Sequence, residues 1–190
     1  MVVDIGTGDG LFVYRSARSN PQMFFIGIDA NSRPLEKISE KIYRKPAKGG
    51  LPNALFLESA VETLGAELEG TANEVHINFP WGSLLRAVAL GEETVLRNLR
   101  QMCAAGAFLR VVIGVDVERD RAELDRLGIR SLDVEYLREV LPATYAKAGF
   151  EIVKTETLAG SSLTEVQTSW AKRLKAGHNR SFVRIVARAV

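Results

Sequence analysis

The chain has 190 residues, 46% of them apolar, and a formal net charge of +2, which suits one globular domain with a sizeable core. A lone cysteine, Cys103, excludes an internal disulfide and a cysteine-rich metal site, and no other residues have metal-ligand spacing. No apolar run approaches the roughly 18 residues of a membrane-spanning helix and no secretory signal is visible, so a soluble cytoplasmic protein is expected, with any nucleic-acid contact set by the local distribution of cations.

The predicted elements alternate between strand and helix. A strand near 1–5 runs into Gly6-Thr7-Gly8-Asp9-Gly10, a loop with glycine at every second position. Such a loop lets backbone approach a bound nucleotide closely because no Cβ intervenes, and the Asp4 carboxylate at the strand end can accept hydrogen bonds from a ligand. A helix near 11–19 ends before Asn20-Pro21, and a strand near 23–28 ends in Asp29. An acid about 20 residues past the glycines, at a strand end, is placed to bind ribose hydroxyls. A helix follows near 33–45, with Leu35, Ile38 and Ile42 at helical spacing and Ser32 and Glu36 close to a capping arrangement.

Further strands are predicted near 54–57, 74–79, 107–114, 150–158 and 181–188, and helices near 92–104, 134–148 and 163–175. This order implies a mainly parallel sheet covered on both faces. No repeat, linker or low-complexity run divides it, so residues 1–190 read as one domain.

In such a sheet ligands bind beyond the carboxyl ends of the strands. That places Asn78-Phe79-Pro80-Trp81-Gly82-Ser83 beside the glycine loop. Trp81, between Pro and Gly after a strand end, is expected on a loop with its ring presented outward. Trp170 lies among Lys172, Arg173, Lys175, His178 and Arg180, a combination that reads equally as a nucleic-acid contact or as a solvated helix anchored by tryptophan. Lys37, Lys41, Arg44 and Lys48 recur three or four apart, beside Lys45, so the helical ones are expected to share a basic face. Arg119, Arg121, Arg126 and Arg130 are interleaved with acids and read as ordinary surface. Glu62, with Ala60 and Val61 after the third strand, is expected at the edge of an adenine pocket, and His76 alternates with apolar residues and reads as structural.

The third glycine falls one residue early for the dinucleotide fingerprint. The D-x-G-x-G-x-G pattern instead resembles the S-adenosylmethionine loop of Rossmann-like methyltransferases. Four segments extend the resemblance along the chain: Asp4–Gly10, Lys45–Asn53, Phe79–Arg86 and Thr168–Leu174. Together they resemble the aminoglycoside-resistance 16S ribosomal RNA methyltransferases of the Kam/NpmA type, which methylate N1 of adenine 1408. The Pro-Trp-Gly-Ser-Leu-Leu and Ser-Trp segments are more specific than the glycine loop.

The resemblance implies an α/β, class I S-adenosylmethionine-dependent methyltransferase fold, with a seven-stranded mostly parallel sheet whose last strand is antiparallel. It implies a site for S-adenosyl-L-methionine, released as S-adenosyl-L-homocysteine, lined by Asp4, Gly6, Thr7, Gly8, Asp29, Ala30, Ala60, Val61, Glu62 and Ser83. Trp81 and Trp170 would stack on a flipped adenine. Thr168 would help hold the last linker, and Lys41, Arg44, Lys45, Lys48, Arg173 and Arg180 would serve RNA binding. The partner would be helix 44 of 16S rRNA in the 30S subunit, bound by a monomer without metal. Members of the family carry an N-terminal extension with a β-hairpin before the glycine loop. Here the loop comes at the start, so RNA docking or cofactor cover from that extension is expected to be missing.

The nearest alternative is a tRNA (guanine-N7) methyltransferase, which shares an Asn-Phe-Pro-like motif but continues with a further proline and a basic segment in place of Gly82-Ser83-Leu84-Leu85. A non-catalytic protein that binds cofactor and RNA, and a small-molecule methyltransferase, are further alternatives.

Overall fold

A computed structural model of the chain describes residues 1–130, 132–158 and 181–190. Seven strands form one sheet: β1 (Val2–Ile5), β2 (Phe25–Asp29), β3 (Ala54–Glu58), β4 (Ala72–Asn78), β5 (Cys103–Val115), β6 (Phe150–Leu158) and β7 (Ser181–Ala189). Their order is β3-β2-β1-β4-β5-β7-β6. The first five are parallel, and β7 runs antiparallel between β5 and β6. The expected sheet, with its antiparallel last strand, is the one observed.

β1 is central, pairing with β2 and β4, and all four of its residues are buried. A parallel strand covered on both faces is apolar throughout, and Asp4 is the one polar exception in β1. Alternation along the strands divides the core into two layers. Val2, Phe25 and Ala54 face α1 (Leu11–Ser19) and α2 (Glu36–Ile42) through Val13, Tyr14, Ala17, Ile38 and Ile42. Val3, Ile5, Ile26 and Ile28 belong to the larger layer, which includes α3 (Gly82–Leu90), α4 (Glu93–Met102), α5 (Arg121–Leu127) and α6 (Leu141–Lys147). On α4 the residues Val95, Leu96, Leu99 and Met102 form the buried stripe of an amphipathic helix.

Several predicted elements are corrected. α2 stops at Ile42 rather than near residue 45, after a 3₁₀ turn over Arg33–Leu35. Ser32 makes no side-chain cap; the Asn31 side chain instead accepts the Arg33 N–H at 3.2 Å. The predicted basic helix face is therefore not continuous, because Arg44, Lys45 and Lys48 lie beyond α2. The helix near 134–148 is a π turn over Tyr136–Val140 followed by α6. β5 begins four residues earlier than its expected start at 107.

Two short helices carry patterns too weak to read from sequence. In α3 Leu85, Ala87, Val88 and Ala89 are buried and only Ser83 and Arg86 are polar. In α5 four charged residues surround buried Leu124 and Leu127. The end of α3 is built from afar: Tyr145 and Tyr136 donate their hydroxyls to the Val88 and Ala89 carbonyls at 2.9 and 3.0 Å. These are groups that a helix leaves without an internal partner.

Candidate active site and nucleic-acid interface

A cavity of about 760 Å³ opens beyond the carboxyl ends of β1, β2 and β4, within the size range of small-molecule sites. All ten residues expected to hold the cosubstrate line it: Asp4, Gly6, Thr7, Gly8, Asp29, Ala30, Ala60, Val61, Glu62 and Ser83. The floor is the glycine loop. Gly6, Gly8 and Gly10 have φ of 69°, 60° and 68°, left-handed backbone that favours glycine. The three differ in surroundings. A Cβ on Gly10 would lie 2.6 Å from the Phe56 ring and one on Gly6 2.9 Å from Leu84, whereas one on Gly8 would meet nothing within 4 Å. Gly10 is therefore a packing glycine, and Gly8 keeps open the space facing the cavity.

The Asp4 and Asp29 carboxylates are held differently. Asp29 is oriented by backbone: Gly8 N–H donates to Oδ2 at 2.8 Å and Asn31 N–H to Oδ1 at 2.9 Å. Further lone pairs on the same oxygens remain for hydroxyl donors. Asp4 is buried, and Asn78 Nδ2 donates to its Oδ1 at 3.1 Å. Burial pushes its carboxyl up to about 6, against the pull of Thr7, His76 and Asn78. The Thr7 hydroxyl is itself buried and closes no hydrogen bond of good geometry; it lies near enough to the Asp4 carboxyl to favour its charged form as a donor. Beneath the site His76 pairs with Glu74 at 3.0 Å and lies against Phe12, the structural role expected of it.

The rim is made by the chain leaving β4. Phe79 has φ of 53°, the only non-glycine with positive φ among the described residues. A bulky residue in this region is strained and needs surrounding structure to hold it. Its N–H donates to the Val112 carbonyl at 2.7 Å, and its ring packs edge-on to Phe182 with centroids 6.2 Å apart. Gly114 makes this possible, since a Cβ there would fall 2.7 Å from Phe182 and 3.1 Å from Phe79. The reversal buries Pro80 and leaves Trp81 53% exposed at the cavity, as the N-cap of α3. Trp81 lies on the loop, as expected, in extended backbone immediately before α3, with its ring outward as anticipated.

Phe79, Asn78 and Gly114 are site residues that sequence reasoning did not single out. Asn78 carried a signal, a polar residue ending an apolar strand beside a buried acid. Phe79 was noted only as part of a motif and Gly114 not at all, because their roles depend on β7 pairing beside β5.

The basic residues divide. Lys41 is half-buried, with its ammonium 4.2 Å from the centroid of the Tyr14 ring. Arg44, Lys45 and Lys48 are exposed on the segment after α2. Arg126 pairs with Glu123 and Arg119 with Asp116, in keeping with ordinary surface. Trp170, Thr168, Arg173 and Arg180, with the predicted helix near 163–175, lie outside the described residues.

Residues 1–189 match the family described as NpmA: 16S rRNA (adenine(1408)-N(1))-methyltransferase. The chain belongs to this family. An Escherichia coli protein named 16S rRNA (adenine(1408)-N(1))-methyltransferase is 36% identical over 184 residues, covering 96% of this chain and 84% of the relative. Among solved structures, the aminoglycoside resistance methyltransferase NpmB1 is 43% identical, covers 100% of this chain and 86% of its own, and superposes with a TM-score of 0.84. A mutant of the 16S rRNA (adenine(1408)-N(1))-methyltransferase from Catenulisporales acidiphilia, solved with cosubstrate SAM, is 35% identical with a TM-score of 0.90, covering 100% and 85% of the two chains. A tRNA (guanine-N(7)-)-methyltransferase of Bacillus cytotoxicus is 31% identical over 104 residues, but these cover 53% of this chain and 46% of that protein. The NpmA family thus takes in the whole architecture, and the tRNA enzyme only about half of it.

Proposed function

We propose that this chain methylates N1 of adenine 1408 of 16S rRNA in the 30S subunit, with S-adenosyl-L-methionine (SAM) as methyl donor, and so confers aminoglycoside resistance. The observation that carries the reading is one cavity with a glycine-loop floor and an exposed tryptophan at its rim. The family match over residues 1–189 names the chemistry to which such a cavity is suited.

The residues present fit the cosubstrate. Gly8 leaves room for a ligand against backbone, the Thr7 hydroxyl is a buried polar group in want of a partner, and the Asp4 and Asp29 carboxylates are among those that line the same cavity. When bound, SAM supplies an activated methyl group and departs as S-adenosyl-L-homocysteine. Asp4 holds a cationic group of the ligand and Asp29 its ribose hydroxyls. Ala60 and Val61 pack on its adenine, with Glu62 at the edge, while Ser83 and Ala30 close the wall.

Adenine N1 carries its own lone pair, so no strong general base is required. The chain's contribution is to position the base and exclude water. Reaching N1 requires the base to leave the helical stack at a cost of a few kcal/mol. Trp81 offsets this by stacking, worth about 1–3 kcal/mol per base, and its indole face favours the positive charge that develops on the methylated base. Trp170 is proposed as the second face. Arg44, Lys45, Lys48, Arg173 and Arg180 contact phosphates, Thr168 holds the last linker, and one copy of the chain engages helix 44 without a metal.

Primer extension across adenine 1408, after 30S subunits react with the protein and SAM, tests the reading. A stop at that base is the expected result. Methyl transfer to tRNA without such a stop would establish the alternative substrate, and cosubstrate binding with no transfer to either would make the chain a non-catalytic homologue.

A further inference from the structure

The segment after α2 is built more firmly than a solvated charge run requires. Leu51 N–H donates back to the Ile42 carbonyl at 2.9 Å, closing the loop at its base. Inside it, Lys48 N–H bonds to the Lys45 carbonyl at 2.7 Å, Gly49 N–H to Pro46 at 2.9 Å and Gly50 N–H to Lys45 at 3.2 Å. The Tyr14 hydroxyl donates to the Gly49 carbonyl at 3.0 Å, while the Lys41 ammonium lies 4.2 Å from the centroid of the Tyr14 ring. A Cβ on Gly50 would fall 1.6 Å from the Arg44 carbonyl, so the backbone crosses itself where only glycine fits. The result is a compact closed loop, of the kind whose ends meet and whose shape is set by its own bonds.

Tyr43 stands on this loop 72% exposed, the most exposed aromatic side chain among the described residues. It belongs to none of the apolar clusters. Arg44, Lys45 and Lys48 follow it in sequence, form no ion pair among the described residues, and no acid occurs between Glu40 and Glu58. None of the loop lines the cavity.

We infer that Tyr43 is a docking residue for RNA: its ring stacks on an unpaired base or sugar of 16S rRNA, within reach of phosphates held by Arg44, Lys45 and Lys48. Charge complementarity commits the loop to a polyanion, and the flat ring among the cations commits it to one with exposed π-faces. The closed loop supplies the ordering in advance, so the contact loses little entropy when made. Lys41 is thereby reassigned from phosphate contact to loop anchor. The inference rests on the proposed rRNA substrate, and Tyr43 acts on docking rather than on transfer.

Binding of the full chain to 30S subunits across a salt series, with Tyr43→Ala and Tyr43→Phe, tests it. Tyr43→Ala is expected to weaken binding about 5- to 150-fold, while the slope against salt, the cosubstrate affinity and the turnover at saturating 30S stay unchanged. Tyr43→Phe is expected to bind as wild type. Wild-type affinity for Tyr43→Ala, or equal weakening by Tyr43→Phe, would overturn stacking by the ring. A loss on intact 30S that is absent on protein-free folded 16S rRNA would move the contact to a ribosomal protein and overturn it too. If wild type binds 30S without a stop at adenine 1408, the substrate assignment fails and the Tyr43 comparison stands; if it does not bind, both fail.

Discussion

The floor and the rim of the cavity are built on opposite principles. The floor is backbone held by backbone: three left-handed glycines, and a carboxylate fixed by two N–H groups. The rim and the loop around Tyr43 present large side chains to solvent from strained or tightly closed backbone, as at Phe79 and Gly50. Changes in the floor should therefore register in folding and cosubstrate binding, and changes in the rim only once RNA is present. A small ligand needs a surface already in place, whereas an RNA partner supplies half of its own contact.

The largest test falls on the packing glycine. Gly10→Ala forces a left-handed non-glycine, at about 1–2 kcal/mol, into contact with Phe56, at about 1–3 kcal/mol more. Denaturant unfolding should show a loss of about 2–5 kcal/mol. Gly8→Ala should bear the first cost alone and fail mainly in cosubstrate titration. Equal destabilisation by the two would break the distinction between packing and ligand-facing glycines.

Asp4 tests the floor by pH. Its folded value of about 6 lies above the ordinary 3.8, so between these the native state binds more protons than the unfolded one. Stability therefore falls as pH rises from about 4 to 6 and levels off above. Asp4→Asn should flatten that window and raise stability at pH 7 by on the order of 2–3 kcal/mol, while weakening cosubstrate binding. For wild type, affinity for a cationic ligand should rise with pH through 6. A melting profile for Asp4→Asn that still declines over this window would assign the titration elsewhere.

At the rim, Trp81→Ala should lower methylation of 30S by about 5- to 150-fold, the worth of one stacked base, with melting temperature and cosubstrate affinity close to wild type. Loss of cosubstrate binding in this variant would place Trp81 in the floor. The smallest effect is expected at Lys45. Lys45→Ala should weaken 30S binding a few-fold and reduce the salt slope by about one, with methylation at saturating 30S unchanged.

Much of the floor is legible in sequence because its signals are local. Three glycines, an acid at each of two strand ends, and the Ala60-Val61-Glu62 turn all lie in short segments at the carboxyl ends of parallel strands, where topology alone brings them together. The rim is less so. Trp81 was identifiable from its place between Pro80 and Gly82, but α3 behind it was not, because Ser83 and Arg86 are its only polar side chains, too few to mark a period. The capping assigned to Ser32 failed for a related reason: Asn31, one residue earlier, was better placed to bond the Arg33 N–H. The basic stripe broke where α2 ended at Ile42, two residues before Arg44.

From residue order alone follow the alternating strands and helices, the glycine-loop floor and the cations clustered after α2, since each depends on neighbours within about 20 residues. Tertiary structure alone decided three things. It set the left-handed turn at Phe79, which needs Gly114 of the neighbouring β5 and Phe182 of β7 beyond it. It separated the packing role of Gly10 from the open face of Gly8, which Phe56 of β3 determines. It also divided the cations, taking Lys41 into a contact with Tyr14 and leaving Arg44, Lys45 and Lys48 after an exposed tyrosine. Periodicity and spacing report what a segment can form, but which side chain fills a given space depends on partners that only folding brings near.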